Sequence, residues 1–78
     1  MKNNKKYKIR VETLTSIGHN IRKRRKALGW TMMDLSYETD IEYRQIGRIE
    51  RGETNFTILT LLRISVALDI KLKNLIQF

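Results

Sequence analysis

The apolar residues of this 78-residue chain recur at three- and four-residue spacing in short runs, each closed by a glycine or an aspartate. Leu14, Ile17, Ile21 and Leu28 share one face, with Arg25 set among them at the same spacing, and Gly29 follows. Leu35, Ser36 and a partly covered Met32 form a second run, which ends before Asp40. Ile46 and Ile49 lead to Gly52, and Ile58, Leu61, Ile64, Ser65 and Leu68 lead to Asp69. This period is that of an amphipathic helix, and strand-type alternation is sustained nowhere. The pattern predicts an all-α fold, a compact five-helix bundle. Helix 1 is expected over 16–28 with Thr15 or Ser16 as its N-cap. Helix 2 runs from a Thr31 cap to about Thr39, helix 3 over 42–51, helix 4 from a Thr57 cap, and a short helix 5 holds Leu72, Leu75 and Ile76. Thr31 with Asp34 three residues on reads as a capping box.

Charge divides the chain in two. Residues 1–30 hold ten basic groups and one acid, Glu12, whereas residues 31–78 hold six basic and seven acidic groups, for a net +8 overall. Such a balance points to a polyanionic partner, nucleic acid or an anionic membrane surface. Residues 1–13 are expected to be a flexible basic N-terminal arm, able to add phosphate contacts, and residues 14–78 the folded domain. Hydrophobic residues make up 41% of the chain, enough for a core. The lack of Cys excludes disulfides, zinc knuckles and thiol chemistry, so stability must come from helix packing or oligomerisation. No apolar stretch exceeds three residues, and none follows the charged start, so neither a membrane span nor a secretory signal is expected. A cytoplasmic protein of bacterial or phage type is expected.

Between Thr31 and Gly52, two short helices flank a turn of very few residues, Thr39-Asp40-Ile41. Ser36 is small where helices can approach. The second helix is expected to expose Tyr43, Arg44, Gln45, Gly47 and Arg48. A helix fits the DNA major groove, and long polar side chains on it reach base edges, so this arrangement reads as a DNA-binding helix-turn-helix.

The run TMMDLSYETDIEYRQIGRIERGETNFTILTLLRISVALDIKLKNLI resembles the Cro and phage-repressor (XRE-like) helix-turn-helix family. The match falls on Gly29, Leu35, Ile41, Ile46, Ile49, Glu50, Gly52, Leu61, Ile64 and Leu68, and covers about residues 17–76. The resemblance implies that Arg25 pairs with Glu50 in a structural ion pair. It places base reading on Tyr43, Arg44 and Arg48, with Gln45 beside them. It places phosphate binding on Thr31 and Met32 at the start of helix 2, and on Arg51, Thr54, Asn55 and Thr57 after helix 3. The chain departs from the family at six places: Ser36 and Ser65 stand for the usual Ala, Met32 replaces a Gln, Asp40 the turn glycine, Glu42 a Ser or Thr, and Gly47 a mid-helix Ser. Asp tolerates the left-handed turn. Glu42 either benefits from the helix dipole or accepts from cytosine. Gly47 either admits a base close to the backbone or is simple drift.

Other features read more plainly. Trp30 is expected to pack between helices 1 and 2. Arg25 points inward, and one or two others of the run Arg22–Lys26 are expected to reach phosphate. His19 has no second His or Cys for a metal, and no catalytic constellation or phosphate loop is present, so no enzyme activity and no cofactor are expected. Helices 4 and 5 carry more apolar residues than one stripe needs, which points to a homodimer with Leu62, Val66, Ile76 and Phe78 at its interface. The expected function is a sequence-specific transcriptional regulator, a repressor by preference. The alternative is an antitoxin or protein-interaction module that binds a toxin, favoured by the acidic Asp40 and Glu42.

Overall fold

The computed structural model describes residues 4–78, so Met1 to Asn3 of the expected arm lie outside the described residues. Five helices follow in order: α1 Asn4–Ala27, α2 Met32–Thr39, α3 Tyr43–Glu50, α4 Ile58–Ala67 and α5 Leu72–Leu75. No strand occurs among the described residues.

Helix 1 differs from its expected span of 16–28. It starts at Asn4 and ends at Ala27, so residues 4–13 are helical rather than a loose arm. The reason is local. Lys, Arg and Glu, five of residues 4–13, are good helix formers, and neither Gly nor Pro interrupts that stretch. Thr15 and Ser16 therefore sit inside the helix and cap nothing. The Thr15 hydroxyl donates back to the Val11 carbonyl at 2.9 Å, one turn earlier. Leu28 lies beyond the helix and is exposed, as is Ile58 at the first turn of α4, so neither belongs to the inner stripe.

The remaining boundaries follow the chain's punctuation. Thr31 accepts from the Asp34 amide at 3.1 Å, and the Asp34 carboxylate accepts from the Thr31 amide at 2.8 Å, closing the capping box of α2. Thr57 accepts from the Thr60 amide at 3.1 Å and caps α4. Gly29, Asp40, Gly52 and Asp69 all have positive φ, the left-handed conformation that stops a helix and turns the chain.

The core joins Ile17 and Ile21 of α1, Leu35 of α2, Ile41, Ile46 and Ile49 around α3, Leu61, Ile64 and Leu68 of α4, and Leu75 of α5. Trp30, Met32, Phe56, Ile70 and Leu72 pack around it. Helix α1 is the spine. At Gly18 it crosses α3 so closely that a Cβ would lie 2.5 Å from the carbonyl oxygens of Ile49 and Glu50. Further along, the Asn20 amide donates to the Leu75 and Gln77 carbonyls at 2.9 and 3.1 Å, tying down α5. The Arg24 guanidinium donates to the Leu68 and Asp69 carbonyls at 2.9 and 3.2 Å, satisfying the free C-terminal end of α4. The molecule extends 43 × 23 × 20 Å, its length set by a first helix of about 36 Å.

Candidate nucleic-acid interface

The turn between α2 and α3 is locked by side chains close in sequence. Asp40 adopts φ 60° and ψ 30°, and its amide donates to the Ser36 carbonyl at 2.8 Å. The Ser36 hydroxyl donates to the Ile41 carbonyl at 2.5 Å. The Thr39 hydroxyl donates to the Leu35 carbonyl at 2.7 Å and accepts from the Ile41 amide at 3.3 Å. Arg63 on α4 donates to the Thr39 carbonyl. Ile41 is buried beneath the turn. These bonds and the buried Ile41 fix the direction in which α3 leaves α2.

A buried ion pair fixes α3 against α1. Arg25 Nε and Nη2 donate to the two Glu50 carboxylate oxygens at 2.7 and 3.0 Å, and Arg25 Nη1 donates to the Trp30 carbonyl at 2.8 Å. Both side chains are more than nine-tenths buried. The hydrogen bonds from Arg25 to Glu50, with the charge of that carboxylate, raise the Arg25 pKa against the opposing effect of burial. Each charge would be costly to bury alone, so the pair also fixes where the other must lie.

With Ile46, Ile49 and Glu50 turned inward, α3 presents Tyr43, Arg44 and Arg48 to solvent, while Gln45 is half-buried. Gly47 does not lie on that exposed face. It is buried under the Arg51 side chain, and a Cβ there would lie 3.0 Å from Arg51 Nη1. The space its missing side chain leaves is thus filled from within the chain. Glu42 stands at the N-cap of α3 and makes no side-chain capping bond, leaving only its favourable position at the positive end of the helix.

The candidate phosphate contacts collect at the two ends of α3. At its start, Thr31, Met32, Met33 and Tyr43 share an open groove with Lys26 and Trp30. Thr31 is exposed and Met32 half-buried against the core, as is Trp30. Lys26, in the last turn of α1, is the exposed member of its basic run in the groove with Tyr43, which the buried Arg25 also lines. Arg24 is instead committed to the end of α4. Five consecutive basic residues give no sign of that separation. At the far end of α3, Arg51 and Asn55 are exposed, Thr54 is half-buried, and Thr57 is exposed at the cap of α4. Arg51 does not stand free. Its Nε and Nη2 donate to the Glu53 carboxylate at 3.0 and 3.1 Å. That hydrogen bonding raises the Arg51 pKa and holds the Glu53 carboxyl below the usual carboxylate range.

Two short helices set by a locked turn, the second held by a buried ion pair and free along one polar face, define a helix-turn-helix regulator of the DNA-binding class. Residues 21–75 match the family model described as Helix-turn-helix, and the chain belongs to that family. Among solved structures, the chain is similar to the restriction-modification controller protein C.AhdI from Aeromonas hydrophila. The two are 29% identical over 80% of this chain and 94% of that one, with a TM-score of 0.77. A mutant of the controller protein C.Esp1396I is 32% identical over 76% of this chain and 75% of that one, with a TM-score of 0.72. The C.Esp1396I tetramer in complex with its natural 35 base-pair operator is 27% identical over 83% of this chain and 96% of that one, with a TM-score of 0.72. No curated protein sequence matches the chain. No helix among the described residues is long and apolar enough to cross a membrane.

Proposed function

We propose that the chain is a sequence-specific double-stranded DNA-binding regulator that represses transcription, acts without catalysis or cofactor, and works in the cytoplasm. It reads the major groove with α3 as a homodimer. The observation that carries this reading is the division of α3 itself: Ile46, Ile49 and Glu50 are buried while Tyr43, Arg44 and Arg48 stand in solvent. An arginine on such a helix can donate two hydrogen bonds to guanine O6 and N7. Thr31 and Lys26 at one end of α3, and Asn55 and Thr57 at the other, are placed to hold the phosphates that flank it.

The dimer reading is supported by exposed apolar residues. Leu62, Val66, Ile76 and Phe78 are 44%, 73%, 45% and 71% exposed, and Leu59 adds to them on α4. The structure of the related C.Esp1396I as a tetramer on its operator supports both parts of the proposal.

Selection of bound fragments from a random duplex pool, followed by titration of Arg44→Ala, tests the reading. Arg44→Ala should lose about 1–3 kcal/mol at one base position and tolerate other bases there. An equal loss on every sequence would make Arg44 a phosphate contact. Absence of binding to any duplex at low salt would end the DNA-binding proposal.

A further inference from the structure

The N-terminal half of α1 carries four cations that are all exposed, and it takes no part in the core. It also precedes the stretch that matches the helix-turn-helix family, which begins at residue 21. Lys5, Lys6, Lys8 and Arg10 are all exposed; the acids near them are Glu12 on the same helix and Glu53, which shares a groove with Arg10 and is itself paired with Arg51. None of the four makes an ion pair among the described residues.

The placement of this segment is specific. Gly52, where the loop after α3 begins, is pressed against α1: a Cβ there would lie 2.7–2.9 Å from Thr15 atoms. The loop is thereby pinned to the middle of α1, which then continues back past it for about 15 Å. Tyr7, Arg10, Val11 and Leu14 line a shallow groove whose other wall is Gly52, Glu53 and Asn55. A row of cations on a continuous helix therefore starts beside the loop placed above among the phosphate contacts.

We propose that this half of α1 is a strut for the DNA backbone, lying along the phosphates beyond the α3–α4 loop and adding affinity without reading sequence. The proposal rests on the DNA-binding reading above. Lys5, Lys6, Lys8 and Arg10 lie within about 8 Å of helix axis and spread around it at ~100° per residue, so two or more of their long side chains can reach the phosphates of one duplex at a time. Because the segment is already helical, less conformational freedom is lost on contact than from a loose tail. Its exposed large apolar residues are Tyr7, Ile9 and Val11; Tyr7 and Val11 line the groove beside the loop, and the three form no wide apolar face of the kind an amphipathic membrane helix needs.

The test is the full chain with Lys5→Gln, Lys6→Gln, Lys8→Gln and Arg10→Gln together, glutamine being a helix former comparable to those it replaces. Circular dichroism checks that helix content is kept. The slope of log K against log salt should become shallower by about 1.8–3.6, at roughly 0.9 for each of two to four phosphates no longer neutralised. Affinity at moderate salt should fall at least about tenfold, by the same factor on the selected site and on random duplex. An unchanged slope overturns the proposal. So does a loss confined to the selected site, which would make these residues base readers. An unchanged slope with an altered sedimentation coefficient assigns the face to a second copy of the chain. An unchanged slope with lost binding to phosphatidylserine vesicles assigns it to a membrane surface. Failure of the unaltered chain to bind any duplex ends the DNA-binding reading itself, and is seen without the variant.

Discussion

The two ends of α1 are chemically similar and structurally opposite. Lys5, Lys6, Lys8 and Arg10 at one end, and Arg22 to Lys26 at the other, are all cations on one helix. At the N-terminal end every cation is in solvent. At the C-terminal end Arg25 is buried on Glu50, and Arg24 is hydrogen-bonded to the last carbonyls of α4. Composition assigns both ends to a polyanion, but the fold uses two of the five C-terminal cations for itself. What separates them is reach: from Ala27 back to Gly18 the helix lies against α3 and α5, and from Leu14 back to Asn4 it runs past the bundle.

The largest expected effect breaks the comparison at Arg25. Arg25→Met leaves Glu50 buried without its partner and should cost about 3–5 kcal/mol in chemical denaturation. Arg25→Met with Glu50→Leu should recover much of that loss, since an apolar pair of similar volume leaves no charge unmatched. If Arg25→Met instead unfolds like the unaltered protein and only weakens DNA binding, Arg25 belongs with the cations of the N-terminal end.

Arg24 is the intermediate case. Arg24→Ala removes two hydrogen bonds from the end of α4 and should cost about 1–2 kcal/mol, with the salt slope of DNA binding unchanged. The same substitution at Lys23, which is exposed, should change stability by less than about 0.5 kcal/mol. Equal stabilities of the two variants would show that the bonds from Arg24 to Leu68 and Asp69 carry no net weight in solution.

These cases also mark what is legible in the sequence. The helices from Thr31 onward are legible because most of their boundaries are local: a capping threonine at 31 and 57, or a glycine or aspartate at 40, 52 and 69 that takes positive φ. The Arg25–Glu50 pair is legible only through the family resemblance, since 25 residues separate its partners. The start of α1 escapes the apolar pattern because its first turns face solvent and leave no long stripe to count. Gly18 gives no local signal at all; its need for hydrogen comes from the carbonyls of Ile49 and Glu50 across the bundle. Gly47 reads as part of the exposed face because the side chain that covers it, Arg51, looks like a free phosphate contact in the sequence. The Tyr43, Arg44 and Arg48 face follows from helical spacing once Ile46 and Ile49 point inward.

The smallest expected effect concerns that same Arg51, a cation midway between the two kinds. It is exposed like the lysines of the N-terminal end yet paired like Arg25, here with Glu53. Glu53 has its pKa lowered, so the pair is fully present above the usual carboxylate range and is lost as pH falls through the lowered value. From pH 6 to 8 the pair is intact, and the salt slope of binding should show no change from this source. Glu53→Gln releases the guanidinium at neutral pH. Binding should tighten by no more than about fivefold, since an exposed ion pair is weak and screened by solvent. The salt slope should steepen by about 0.9, the value for one more neutralised phosphate. Loss of a negative charge near DNA would tighten binding too, so the double variant Arg51→Gln with Glu53→Gln separates the causes. A slope that returns to its starting value in the double variant assigns the gain to Arg51; a slope that stays steep assigns it to the missing carboxylate and leaves Arg51 a purely internal cation, closer in kind to Arg24 than to Lys8.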